Sequence, residues 1–407
     1  MRGLALDIGL RLTGLAPGAG GGGAPVLPTR VVANGPYSAL SHNNQVSSWT
    51  STMTRMTFYA ATDLTSIQLA YANFRNLDSA GASSSVVMAV SASIEYPAGT
   101  VLAQVLFSGS SDGSIPKGDI LISDAVSVSI PKDAAFYVRT YQHSGSYCML
   151  FPANRTGDWW KLNGGVDETM TIGSAGSTSQ YTFGPFAIIG PSNAPAIGIP
   201  GDSIGAGSGG SASSYFKGTI SPTLAQVNAA HLNFSIPGLY VNVYLSHLRP
   251  VLTTFMQSYT SHICCQLGYN DISGGNTTTD GLKARLEALY ANFPDQTIIQ
   301  STLIPSSTST DSWATDANQT IRYTADNPTY IGFDKINGYI RGIAMVGQDD
   351  YVETYNALVS PTADNKWWND GSTANLATAD GIHPSQASAD RVVAQATIDR
   401  TKFGLAA

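Results

Sequence analysis

Two patterns of apolar and polar positions divide the chain. Between about residues 31 and 190, apolar residues come in short runs at 56–59, 66–74, 85–94, 101–108, 125–130, 135–141, 147–151 and 181–189, separated by Gly, Ser, Asn and Pro. Val126, Val128 and Ile130 alternate with Ser127 and Ser129, which puts β-branched side chains on one face of a half-buried strand. No helical periodicity of useful length interrupts these runs. Short strands with turn chemistry between them predict an all-β domain, a jelly-roll-like β-sandwich.

After residue 196 the pattern changes. Apolar runs at Ala196–Ile199, 231–234, 262–267 and 297–303 alternate with helical periodicities, as expected of a parallel sheet with helices on its faces. Leu282, Leu286, Leu289 and Phe293 step by four, three and four, with Asp280 placed to cap that helix. Phe333, Ile336, Ile340 and Ile343 mark another helix. A last one is predicted over 385–403, with Ala389, Val392, Val393 and Ala396 as its buried stripe and Gly404 as its stop. Two prolines in the weakly apolar stretch 190–195 mark a domain junction. The expected division is a flexible glycine-rich N-terminal arm at 1–30, the all-β domain at 31–192 and an α/β domain at 193–407. No internal repeat is visible.

Composition narrows the partners. Only 12% of the 407 residues are charged and the formal net charge is −7. Ser, Thr, Asn and Gly fill the polar positions, a surface suited to sugars. No run of Lys and Arg offers a nucleic acid its phosphate contacts. No stretch is long and apolar enough to span a bilayer. Asp7 and Arg11 interrupt the N-terminal leucines, which argues against a secretory signal. Cys148, Cys264 and Cys265 have neither disulfide-framework nor zinc spacing and read as buried thiols. Asn154, Asn233, Asn276 and Asn318 begin Asn-x-Ser/Thr triplets, which matter only in a eukaryotic secretory pathway. Trp159, Trp160 and Tyr181 read as packing residues, with a sugar-stacking surface as the alternative.

The stretch 196–207, Ala-Ile-Gly-Ile-Pro-Gly-Asp-Ser-Ile-Gly-Ala-Gly, reads as a buried strand handing over to a tight turn that carries one hydroxyl, Ser203. A Ser/Ala segment able to start a helix follows. A serine hydroxyl needs a base to take its proton and a group to hold that base. Of six histidines, His42 and His143 lie in the β region, His231 and His262 in or beside strands, and His247 in a helix-like stretch. His383 differs, because Asp380-Gly381-Ile382-His383-Pro384 supplies base and orienting carboxylate from one turn before the last helix. Gly268-Tyr269-Asn270-Asp271 follows the apolar run 263–267, so the Asn270 amide can be aimed into the crevice that holds Ser203. Oxyanion donors are then the Ser203 backbone N–H, the Asn270 amide and the backbone N–H of Gly238, each worth about 10²–10³ in rate. The alternatives are a helix-capping role for Ser203, a capping turn at His383 and a plain turn after Pro237 at Gly238.

Gly201-Asp202-Ser203-Ile204, Gly238, Gly268-Tyr269-Asn270-Asp271 and Asp380-Gly381-Ile382-His383 resemble, in this order, the blocks of the SGNH (GDSL-type) hydrolase family. The resemblance covers about 196–407. It implies a three-layer α/β/α fold and ester hydrolysis without a metal or other cofactor. By the same carry-over Ser203 is the nucleophile, His383 the base and Asp380 its orienter, with Ser203, Gly238 and Asn270 as the oxyanion hole. Gly201 to Gly205 also fits the Gly-x-Ser-x-Gly elbow, but there acid and histidine sit on separate loops. Asp380 and His383 could begin a metal site, yet no further cluster has ligand spacing. A β-sandwich ahead of such a domain looks like the layout of certain carbohydrate esterases, so the expected substrate is an O-acetylated or otherwise short-acylated glycan. The alternatives are a non-catalytic glycan-binding or phage-type structural protein, whose glycine-rich arms the N-terminus resembles, and a lipid esterase or thioesterase.

Overall fold

The computed structural model describes residues 26–406 apart from 36–43, 47–49, 74–86, 144–147, 153–156, 163–165, 173–175, 178–180, 211–217, 248–249, 274–276, 323–332 and 396–397. Most of the expected arm therefore lies outside the described residues. Its end does not: Thr29–Val31 is a strand paired with Ala187–Pro191, so residues 29 and 30 belong to the sheet.

The first half forms antiparallel sheets. In one, Thr29–Val31, Ala187–Pro191, Leu64–Ala72 and Val126–Ile130 lie in that order, with Ile120–Ile122 also against Leu64–Ala72. A second is built on Ser51–Ala60, Ala135–His143 and Met88–Glu95, and a small third joins Asn44–Val46, Cys148–Pro152 and Tyr181–Thr182. All 9 residues of Ala135–His143 pair with Ser51–Ala60 in unbroken register. The two larger sheets meet where Tyr71 and Thr140 share a 2.9 Å hydroxyl hydrogen bond, with Phe183 stacked on the Tyr71 ring. Hydrophobic pattern found the long strands but not Trp159–Leu162, where Lys161 breaks the apolar run. Trp159 and Trp160 are half-buried there, and the Arg139 guanidinium lies 5.4 Å from the Trp159 ring. The side chain of Tyr181 lies outside the described residues.

The second half is built on a parallel sheet of β1 (Ala196–Ile199), β2 (Ala230–Asn233), β3 (His262–Cys265), β4 (Thr297–Ser301) and β5 (Asp350–Val352), in the spatial order 2-1-3-4-5. In this order the chain reverses direction between β1 and β3, and the crevice beyond their C-terminal ends is where such sheets bind ligands. The first four strands were legible because buried parallel strands are continuous apolar runs. β5, Asp-Tyr-Val, carries too little apolar character to be seen. Cys264 and Cys265 are buried free thiols in β3.

The helices correct three expectations. The helix Thr279–Tyr290 is capped by Thr278, whose hydroxyl accepts the Gly281 N–H, while Asp280 sits in the first turn and pairs with Lys335. Phe293 is buried beyond its end. Phe333–Arg341 stops before Ile343, which is 43% exposed with φ +48°. The single helix expected over 385–403 is two pieces, Gln386–Ala394 and a 3₁₀ turn Arg400–Phe403, the latter closed by Gly404 in the left-handed conformation. Among the described residues no helix is long and apolar enough to cross a membrane.

Candidate active site

Ser203 lies four residues beyond β1 in a run of turns, with Ala206 N–H bonded to the Asp202 carbonyl and Ser208 N–H to that of Ser203. The helix-starting segment expected next falls on 211–217, outside the described residues. The turn packs tightly against the β2 exit: a Cβ at Gly201 would overlap Ser235 Oγ, which is why this approach needs glycine. Ser203 does not have the positive φ of a strained nucleophile elbow.

The structure brings Ser203, His383 and Asp380 together across 180 residues. His383 Nε2 is 2.8 Å from Ser203 Oγ, and His383 Nδ1 is 2.6 Å from Asp380 Oδ2. The other carboxylate oxygen, Asp380 Oδ1, accepts the backbone N–H groups of Ile382 and His383, each at 2.8 Å. Burial pushes the Asp380 carboxyl up, but the His383 backbone N–H, the imidazole and the Ile382 N–H outweigh it and hold it below its ordinary value. An ionised Asp380 has no proton to give, so Nδ1 is the donor of that pair and Nε2 keeps its lone pair toward the serine hydroxyl. Ser203 is 9% exposed and the imidazole 25%, so the arrangement is shielded yet reachable.

Asn270 and Gly238 come from the segments that follow β3 and β2, the strands on either side of β1. Asn270 is the second residue of the short helix Tyr269–Ser273 rather than part of a strand end, and its Nδ2 donates 3.1 Å to the Leu239 carbonyl. On the other side, Ile236 N–H donates 3.0 Å to the Gly201 carbonyl. The segment 236–239 is thus held between the Ser203 turn and Asn270, with Gly238 exposed at φ +78°. Asn233, in buried β2, binds the Gly205 carbonyl at 2.7 Å through Nδ2 and so links the two loops.

Two buried carboxyls lie beneath. Asp271 accepts the Val241 N–H and an Arg285 N–H, both at 2.8 Å, and anchors the glycine-bearing segment to the Asn270 helix. Asp202 is fully buried, and Oδ1 accepts the Ile204 N–H at 2.9 Å. Burial, with Asp271 nearby, pushes its carboxyl up to about 7. Of the other histidines, His231 Nδ1 pairs with the Ala229 carbonyl and His262 Nδ1 with Ser261 Oγ, while His42 and the His247 side chain lie outside the described residues. Sequence reasoning missed Asp271, Asn233 and the residues behind the 380–383 turn. They act through contacts distant in sequence, which no local pattern carries.

No protein-family model matches the chain. No curated protein matches it either. Among solved structures it is similar to the acetylxylan esterase Axe2 of Geobacillus stearothermophilus, at 15% identity and a TM-score of 0.35 over 52% of this chain and 95% of that one. A member of the lipolytic G-D-S-L family from Veillonella parvula DSM 2008 aligns at 17% identity and 0.36, over 50% and 96%. A GDSL-like lipase of Parabacteroides merdae, described as putative, aligns at 17% and 0.34, over 53% and 99%.

Proposed function

We propose that the chain is a serine ester hydrolase of the SGNH type, and that its reaction is removal of O-acetyl or other short acyl groups from a carbohydrate. The observation that carries the first part is the continuous path from Ser203 Oγ through the imidazole to Asp380, with contacts of 2.8 and 2.6 Å. In this reading Ser203 Oγ attacks the acyl carbonyl while Nε2 of His383 takes its proton. The negative oxygen that forms is held by the N–H groups of Ser203 and Gly238 and by the Asn270 amide. His383, now an imidazolium facing the Asp380 carboxylate, returns the proton to the departing sugar oxygen. With the alcohol gone, water attacks the acyl-serine, giving its proton to the same base; His383 then returns a proton to Ser203 Oγ as the acid leaves.

The carbohydrate part rests on the low charge and the hydroxyl- and amide-rich surface. The domain reading belongs to the same proposal: a jelly-roll-like β-sandwich at 31–192 as an accessory module and 193–407 as the catalytic domain. The Tyr71–Thr140 contact between the two larger antiparallel sheets supports the sandwich. The test is hydrolysis of p-nitrophenyl acetate and acetate release from acetylated polysaccharides by wild type, Ser203→Ala and His383→Ala. Both variants are expected to lose turnover, and retained activity in both sinks the mechanism. A preference for long-chain over short-chain p-nitrophenyl esters overturns the deacetylase part, and glycan binding without turnover favours a pure binder.

A further inference from the structure

The 380–383 turn is short and lies at the surface, with the Asp380 side chain 49% exposed. Asp380 organises the turn from within through the N–H groups of Ile382 and His383. Those bonds shape the loop but do not say where it points, and His383 must meet a hydroxyl on a distant strand end to within a few tenths of an ångström. Something outside the turn has to fix it. Two backbone carbonyls of the turn are each taken by a side-chain donor from elsewhere in the chain. Arg322 Nη2 donates 2.6 Å to the Asp380 carbonyl, and Trp367 Nε1 donates 3.1 Å to the Gly381 carbonyl. The Ser307 N–H adds a longer bond of 3.3 Å to the Gly381 carbonyl.

These donors are themselves built in. Trp367 is completely buried in the small strand Ala363–Trp367. A buried indole N–H needs an acceptor, so its bond to Gly381 is the position in which the ring is satisfied. Gln319 fixes Trp367 by accepting its backbone N–H at 2.9 Å and donating to its carbonyl at 3.0 Å. The same Gln319 oxygen accepts Ser307 Oγ at 2.9 Å. Arg322 follows the strand Gln319–Ile321 and is tied back by its own N–H to the Ser306 carbonyl. Its guanidinium brings a charge-assisted donor, stronger than a neutral one.

We propose that Arg322 and Trp367 are positioning residues: together they clamp the carbonyls of Asp380 and Gly381 and so hold His383 in register with Ser203. The inference rests on reading Ser203, His383 and Asp380 as the catalytic set. Neither residue touches the reacting atoms. Their effect is on the fraction of time the imidazole is aligned, which is expressed in kcat.

Steady-state kinetics on p-nitrophenyl acetate test the clamp with Arg322→Ala, Arg322→Lys and Trp367→Phe, the last keeping ring bulk while removing the N–H. Misplacement by about 1 Å costs on the order of 10²-fold, so kcat is expected to fall about 10- to 100-fold in Arg322→Ala and Trp367→Phe. KM stays within about twofold, because ground-state binding is untouched. Arg322→Lys recovers part of the loss, since an ammonium can reach the same carbonyl. The rate at which a phosphonate ester labels Ser203 falls in parallel. Unchanged kcat in Trp367→Phe and Arg322→Ala overturns the proposal, as does a loss confined to KM, which would mean substrate contact. If Arg322→Ala does not fold, Arg322→Lys and Trp367→Phe decide by the same readouts. Ser203→Ala, run alongside, separates the two levels. If it abolishes turnover while the clamp variants keep wild-type kcat, only the clamp is wrong. If it retains turnover, the catalytic reading fails and the clamp with it.

Discussion

In the proposed reaction the Ser203 hydroxyl becomes a nucleophile only if the proton it loses has a place to go, and the contacts of His383 with Ser203 and Asp380 offer one. Asp380, held ionised by the donors around it, fixes the proton of His383 on Nδ1. Asp380→Asn keeps the shape but offers an N–H to that nitrogen, turning the imidazole to the wrong tautomer. A fall in kcat on the order of 10³–10⁴ is expected, against about 10²–10³ for Asn270→Ala, which removes one of the proposed oxyanion donors. Equal losses in both variants would contradict these roles. Asp202 answers to a different force. Its ordinary value of 3.8 rises to about 7 in the fold, chiefly by burial. Between those values the folded chain holds a proton the unfolded chain has released, so stability falls as pH rises from about 4 to about 7 and is level above. Asp271 is raised in the same direction. Asp202→Asn removes one contribution, so its melting temperature should drop less than that of wild type between pH 5 and pH 8. Parallel curves for the two proteins would show that Asp202 is ionised throughout.

Elements deliver these residues with uneven help from sequence. β1 to β4 are apolar runs flanked by turn residues, so both the sheet and the positions of Ser203 and Asn270 at its C-terminal edge can be read from pattern alone. The Asp380–His383 pairing was equally legible, because the two residues share one turn. What pattern could not show is what holds that turn. Gln319, Arg322 and Trp367 come from two small hairpins whose strands are polar; the bonds of Trp367 and Arg322 to the turn span 14 and 58 residues, and Gln319 holds Trp367. Gly381 belongs to the same construction. It has φ +77°, and a Cβ there would drive into the Ser307 carbonyl oxygen. Gly381→Ala is therefore expected to destabilise the protein by more than about 1 kcal/mol and to depress kcat by displacing the turn. A variant with wild-type melting and wild-type kcat would show that the two loops are not in contact. The misplaced cap at 279–290 teaches a related lesson: Thr278 and Asp280 are both good capping residues, and only backbone direction chooses between them. Thr278→Ala should cost about 1 kcal/mol, whereas Asp280→Ala, which loses exposed contacts with Lys335 and the Tyr339 hydroxyl, should move the melting point less.

At the scale of the molecule, the two halves are joined by more than a linker. Asn34, in the strand Ala33–Asn34 of the antiparallel region, is 1% exposed. Its Nδ2 donates to Asn228 Oδ1 at 2.7 Å, and its Oδ1 accepts the His231 backbone N–H at 3.0 Å, which carries the first half onto the edge strand β2 of the parallel sheet. Asn228 in turn donates to the Ala60 carbonyl and to Asp133 on the β side. Arg30 adds a bond to the Ala194 carbonyl across the junction. Covering β2 in this way protects an edge that would otherwise offer unpaired backbone groups to another chain. It also couples the halves energetically, because buried polar groups that lose a partner cost about 1–3 kcal/mol. Heating should therefore unfold the described halves in one transition, and Asn34→Ala should lower that whole transition rather than broaden or split it. Differential scanning calorimetry with tryptophan fluorescence as a second probe reads this directly. Two separable transitions in wild type, only one of them moved by Asn34→Ala, would mean that the β region is a tethered module and the contact at Asn34 incidental. A single shifted transition makes the antiparallel half part of the scaffold that holds β2 and, through the bond of Asn233 on that strand to the Gly205 carbonyl, the turn that carries Ser203.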